Sequence, residues 1–212
     1  DKWIVEGGHL ARLKALLRKN GAESILYNKV HPNPGKIQVE EAAKICKKEG
    51  CDMVLGFGGG SSIDTAKSIA LLATNDGDFW DYVATGSGKG CKIKNQPLPV
   101  IAVPTTAGTG TEADPWVVIT KEETNEKLGF GAPEMFAAFA FVDAELMLSV
   151  PQKLTAFQGF DALFHAMEGY IATVATPISD IFALKSISLL GQYLVEVCKD
   201  GQNIEAREAV AM

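Results

Sequence analysis

Leucines at 10, 13, 16 and 17, set among Lys, Arg and Ala, recur with a helical period and predict a helix over residues 9–20. Gly21 suits its stop. Residues 24–27 are short and apolar and predict a buried strand, and His31-Pro32-Asn33-Pro34-Gly35 is a turn by composition. A second helical period over 39–48 is closed by Gly50. Residues 53–57 predict a strand, 62–73 an apolar helix and 99–103 another strand, with further strand candidates at 116–120 and 136–142. Helix and strand therefore alternate through the first part of the chain, which predicts an α/β fold with a parallel sheet covered by helices on both faces.

After Pro151 the pattern changes. Residues 155–172 and 178–199 are two long helical segments with no strand between them. This places a boundary near Val150, between an α/β unit of residues 1–150 and the start of a helical one, residues 151–212. No internal repeat or low-complexity tract interrupts either part. The Thr-Gly-Ser-Gly-Lys-Gly-Cys stretch at 85–91 reads as a mobile surface loop.

Composition narrows the function classes. The chain has 212 residues, 47% of them hydrophobic, and a formal net charge of -6. That balance, without a basic run, argues against nucleic acid as a partner. Apolar stretches such as 136–142 are too short to span a bilayer, and the first residues lack the layout of a signal peptide. Cys46, Cys51, Cys91 and Cys198 form no C-x-x-C pair, so they read as reduced thiols of a cytoplasmic protein rather than a zinc cluster.

Three segments carry chemistry. Gly56-Phe-Gly58-Gly59-Gly60-Ser61-Ser62 lies between a predicted strand and a predicted helix. Unpaired amides at a helix start favour negative charge, and glycines let a phosphate approach the backbone. The dinucleotide pattern is only approximated, since Ser61 stands at the third glycine position, so a plain strand-to-helix turn stays open. Asp64 and Lys67 follow on the helix, as part of the site or as a solvated i,i+3 pair.

The second segment, Pro104-Thr-Thr-Ala-Gly-Thr-Gly-Thr-Glu112, offers hydroxyls and amides at the carboxyl end of a strand, where open α/β sheets bind ligands. Thr109 or Thr111 could equally cap a following helix. The third is Asp161-x-x-x-His165, a carboxylate and an imidazole on one helix face. The pair can hold one divalent cation or be a packed polar pair; a tight site wants three or four ligands. Glu168 shares the face.

Taken together, these residues resemble the iron-containing (group III) alcohol dehydrogenases. The resemblance rests on Gly58-Gly59-Gly60-Ser61-x-x-Asp64-x-x-Lys67, on Pro104 through Glu112, and on Gly159-Phe160-Asp161-Ala162-Leu163-Phe164-His165-Ala166-Met167-Glu168-Gly169. Val30-x-Pro32-Asn33-Pro34, Asp143 ending a strand, and Ala206-Arg207 support it. It runs from Asp1 to Met212 and marks the chain as resembling an internal portion of a full-length member.

The resemblance implies a Rossmann-like, NAD(P)-binding α/β domain followed by an all-helical metal-binding domain, as in dehydroquinate synthase-like folds. It implies reversible oxidation of an alcohol to an aldehyde or ketone by hydride transfer. Gly59, Gly60 and Ser61 would hold the cofactor diphosphate. Thr105, Thr106 and Thr109 would contact the nucleotide, with Lys127 and Leu146 beside it and Asn33 on the cofactor side. Asp1 matches an aspartate of NAD-preferring members, which favours NAD over NADP. Asp161 and His165 would be the first two ligands of an iron, or alternatively zinc, ion. The family adds two later histidines, but the histidines here are His9, His31 and His165. Family members are commonly dimers or larger, so a homodimer or larger assembly is expected.

Thr111 stands where the family often has Ser, and Asp114 where Thr is commoner, which would place a charge near the cofactor cleft. Phe157, Phe160 and Phe164 would be core packing or an apolar lining for a small aliphatic alcohol. Two other readings remain: a catalytically incomplete nucleotide-binding fragment, and a glycerol dehydrogenase-like enzyme.

Overall fold

In the computed structural model, which describes residues 2–212, with side chains from Ile4 onward, the helices are α1 (Lys2–Glu6), α2 (His9–Lys19), α3 (Lys36–Lys48), α4 (Gly60–Thr74), α5 (Gln152–Ile171), α6 (Pro177–Lys199) and α7 (Ile204–Ala211). The strands are β1 (Val54–Gly58), β2 (Val100–Pro104), β3 (Trp116–Lys121), β4 (Glu126–Gly131) and β5 (Phe139–Ala140). β1, β2 and β5 form a parallel sheet in that order, with Val54 opposite Val100 and Ile101 opposite Phe139. This is the Rossmann-like α/β arrangement, followed by helices.

β1 and α4 meet at close range because Gly56 has no side chain. A Cβ there would lie 3.0 Å from Ala66 Cβ and 3.1 Å from Ile63 Cα. Val39, Ala42 and Cys46 of α3 join Leu71 and Leu72 of α4 and the aromatic residues Phe79 and Trp80 in the main core. β3 and β4 do not extend the parallel sheet. They form a separate antiparallel hairpin whose Val117, Ile119 and Phe130 enter the same core.

Several sequence-based expectations change. Residues 24–27 form no strand: they carry no regular secondary structure, with Ile25 and Leu26 exposed. A four-residue apolar run has no strand identity without a sheet edge to accept it. Of 136–142 only Phe139–Ala140 is strand, so Asp143 caps a 3-10 turn rather than ending a strand. β4 and α7 carry weak patterns and were not anticipated; α7 is announced only by its cap, Asn203. The 85–91 loop is anchored. Gly90 and Cys91 donate backbone hydrogen bonds to Val83 and Asp81, and Ser87 bonds the Glu126 carboxylate.

α5 and α6 pack against each other where Gly159 meets Leu194. Thr176 and Ser179 form a capping box at the start of α6 with Pro177 in the first turn. α6 has 23 residues and includes an 18-residue window of mean hydropathy 1.4, long and apolar enough to cross a bilayer by length and composition only, a test that core helices of soluble proteins also pass. α7 returns to this pair through Arg207, which is 5% exposed. Its guanidinium donates to the carbonyls of Gly201 and Val150 and to Thr155 Oγ1. Among the described residues Phe157, Phe160 and Phe164 are exposed on α5 and absent from the cleft lining, and Ile181 and Phe182 are exposed on α6.

Candidate active-site cleft

The glycine turn joins β1 to α4. Gly59 takes the N-cap position and supplies no side-chain cap, so the first-turn amides of α4 lack a side-chain acceptor. The threonine loop leaves β2 beside it. Thr105 N donates to Gly58 O at 3.0 Å. A Cβ on Gly59 would lie 3.1 Å from Thr106 Oγ1, and one on Gly60 would lie 2.8 Å from Thr109 Cγ2. The two loops are in contact because these positions carry no side chain.

A buried polar network fixes this contact. Lys67, 1% exposed, donates from Nζ to the carbonyls of Asp114 (2.6 Å) and Trp116 (3.1 Å) and to Thr111 Oγ1 (2.9 Å). Thr111 donates in turn to Asp64 Oδ1 at 2.7 Å, and Asp64 Oδ2 accepts from Val118 N at 2.9 Å. Burial pushes the Asp64 carboxyl up and the Lys67 ammonium down, against the pull of their partners. Burial also raises Glu112. Asp64 and Lys67 are thus no solvated pair but the link between α4, the threonine loop and β3. Thr111 caps no helix, because a strand follows.

Both loops open on a cleft of about 1380 Å³. Gly60, Ser61, Thr109 and Thr111 line one wall, with Trp116 and Val118 of β3. Asn33 and Lys127 stand at its rim, Lys127 Nζ donating to Asn33 Oδ1 at 2.7 Å. Asp161 and His165 of α5 line the facing wall. His165 Nε2 lies 4.0 Å from Asp161 Oδ1, and His165 Nδ1 lies 3.1 Å from Gly108 O. Two ligands about 2.1 Å from a tetrahedral ion sit about 3.4 Å apart, so this pair would have to close by about 0.6 Å to serve as two donors to one cation. Among the described residues no group of three or more His, Cys, Asp or Glu side chains joins them.

Family models match nearly the whole chain: "Iron-containing alcohol dehydrogenase" over residues 1–144, and "Fe-containing alcohol dehydrogenase family, C-terminal" over 155–212. The chain belongs to the iron-containing alcohol dehydrogenase family. Its similarity extends to choline dehydrogenase of Bacillus subtilis, 42% identical over 211 residues, covering 100% of this chain and 52% of that protein. NAD-dependent methanol dehydrogenase of Bacillus methanolicus is 40% identical over 211 residues, covering 100% and 54%. Among solved structures, sulfoacetaldehyde reductase from Bifidobacterium kashiwanohense in complex with NAD+ aligns with a TM-score of 0.91 at 35% identity, over 99% of this chain and 54% of that one. An archaeal halo-thermophilic Red Sea brine pool alcohol dehydrogenase aligns with a TM-score of 0.94 at 37% identity, over 98% and 53%. The chain spans about half the length of these relatives.

Within this family member the structure brings Asn33, Gly60, Ser61, Thr109, Lys127, Asp161 and His165 to one cleft. Gly59 and Thr106 stand behind its wall, in van der Waals range of each other. Thr105 is fully buried, its Oγ1 without a partner, and Leu146 sits in the 3-10 turn outside the cleft lining. Asp1 lies outside the described residues. Asp114 points its charge at Lys67, 3.3 Å away. Trp116 and Val118 were not anticipated as lining residues, because strand periodicity marks them only as outward-facing.

Proposed function

We propose that the chain is the cofactor-binding and metal-anchoring part of an NAD(P)- and metal-dependent alcohol dehydrogenase that interconverts a small primary alcohol or diol with its aldehyde or ketone. The observation that carries this reading is the shared cleft: the nucleotide-type loops and the Asp161–His165 pair face the same space. Relatives named for methanol and for 1,3-propanediol dehydrogenation support the substrate class.

The residues take separate roles. Gly60 and Ser61 present first-turn amides of α4 to a diphosphate, where the helix dipole favours negative charge. Thr109 packs beside them, and Lys127, oriented by Asn33, adds a cation at the rim. Asp161 and His165 would hold iron or zinc, as two of the three or four ligands a tight site needs. Bound metal and nicotinamide would supply Lewis-acid polarisation of the substrate oxygen and hydride acceptance, respectively. The chain's own contribution is to hold both sites rigidly across one cleft. Residues 1–150 would form the cofactor unit and 151–212 the start of the metal-carrying helical unit.

The two-donor count favours a second reading of the 212 residues by themselves: a nucleotide-binding unit that holds metal weakly. Metal content and NAD-dependent alcohol oxidation are to be measured on this chain and on the full-length protein, with Asp161→Asn and His165→Ala in the latter. Loss of metal and turnover in both variants is expected; unchanged metal and activity would reject the ligand assignment. Stoichiometric metal and turnover in the 212 residues would reject the second reading.

A further inference from the structure

The threonine loop touches both halves of the cleft, and Gly108 is where it meets α5. Gly108 has φ +102°, a left-handed conformation that favours glycine. It also has no room for a side chain: a Cβ would lie 2.7 Å from Gln158 O and 3.2 Å from Asp161 Oδ2. With the backbone so close to the helix, the Gly108 carbonyl reaches His165 Nδ1 at 3.1 Å. A carbonyl oxygen carries no proton. The hydrogen bond therefore requires the proton on Nδ1, which in the neutral imidazole leaves the Nε2 lone pair free. Nε2 is the atom that faces Asp161 Oδ1.

We propose that Gly108 is a positioning residue for the metal pair: its carbonyl locks His165 in the Nδ1–H tautomer and aims Nε2 toward the space shared with Asp161. This rests on the metal-pair reading above only for its purpose; the tautomer itself is a property of the unliganded chain. Imidazoles free in water favour the opposite tautomer, Nε2–H, so the lock has a distinct signature. Outer partners that fix a ligating histidine in this way contribute to metal affinity. Two flanking residues of the same loop, Thr106 and Thr109, press on the glycine turn. The loop that orients the histidine is thus held by the nucleotide side of the cleft.

The test is side-chain 15N–1H NMR of the neutral-pH chain, in which His165→Gln assigns one of three histidines. The expected result is a protonated Nδ1 and a bare Nε2 at His165; an Nε2–H pattern, or a fast average of both, overturns the proposal. A second arm titrates Co2+ into the full-length protein and into its Gly108→Ala variant. An affinity about tenfold weaker in the variant supports the proposal, in the range known for outer-partner removal. Equal affinities in a folded variant overturn it. If the unaltered full-length protein binds no Co2+, the metal-pair reading fails instead, and the NMR arm still decides the tautomer on the unaltered chain whether or not the glycine variant folds.

Discussion

Lys67 of α4 donates to the main-chain carbonyl of Asp114 at 2.6 Å, so a helix that begins at the glycine turn ends its influence at the start of β3. The same ammonium reaches Thr111 and Trp116.

Replacing Lys67 by Met keeps the stem and removes the donor. Asp64 and the carbonyls of Asp114 and Trp116 then lose a buried charged partner. The expected loss is about 3 kcal/mol in urea unfolding, since hydrogen bonds to charged groups contribute about 1.5–3 kcal/mol and buried carbonyls are left without their donor. Asp114→Asn, at a half-exposed side chain, should cost less than about 1 kcal/mol. Equal costs for the two would show that the carbonyl contacts do not matter.

Gly60→Ala places a methyl 2.8 Å from Thr109 Cγ2. The turn and the threonine loop must separate, and the first amides of α4 move with them. NAD affinity, followed by calorimetry, should fall about tenfold or more, equivalent to about 1.4 kcal/mol. Thr109→Gly in the same chain should restore part of it, because the clash is with that side chain. Additive losses in the double variant would locate the effect elsewhere.

Stability toward acid should depend on Glu126. Hydrogen bonds from the Ser87 hydroxyl, then from Thr124 and the Ser87 amide, hold its carboxyl down from 4.5 to about 2. A depressed carboxylate contributes stability above its unfolded value, and the contribution is lost as pH falls through the folded one. Glu126→Gln should therefore flatten the fall in thermal stability between pH 4.5 and about 2. An unchanged profile would mean that the 85–91 loop does not hold the hairpin.

α5 and α6 expose Phe164 (63%), Ile181 (67%) and Phe182 (70%), the last of them at the cleft. An apolar patch of this kind binds hydrophobic dyes and promotes association. Ile181→Ser with Phe182→Ser should lower dye fluorescence and concentration-dependent light scattering of the chain, with a stability change within about 0.5 kcal/mol. A large loss of stability would show that these side chains pack internally.

The periodic helices were legible from residues alone: leucines 10 to 17 and the long apolar repeats after Pro151 marked α2, α5 and α6 to within a few residues. The parallel pairing of β1 and β2 followed from the helix between them. The hairpin was half legible, because β4 is Glu-Lys-Leu-Gly-Phe-Gly, with two glycines and alternating polarity too faint to separate from a turn. The glycine and threonine loops were legible as ligand-type loops only with the family resemblance beside their composition, and the structure brings Gly60, Ser61 and Thr109 to one cleft. Trp116 and Val118 were not, since lining a cleft depends on tertiary placement. The burial of Lys67 was likewise invisible: spacing cannot tell a lysine that reaches water from one that reaches carbonyls.

Arg207 ties Val150 and Thr155, 57 and 52 residues upstream, to Gly201, six residues before it. Chimeras with other family members meet a constraint here. A crossover between 155 and 201 joins a guanidinium from one parent to acceptors from another, and any backbone mismatch leaves a buried charge without its carbonyls. Residues 150–207 should recombine as one block, while exchange points upstream of Val150 leave the clamp intact.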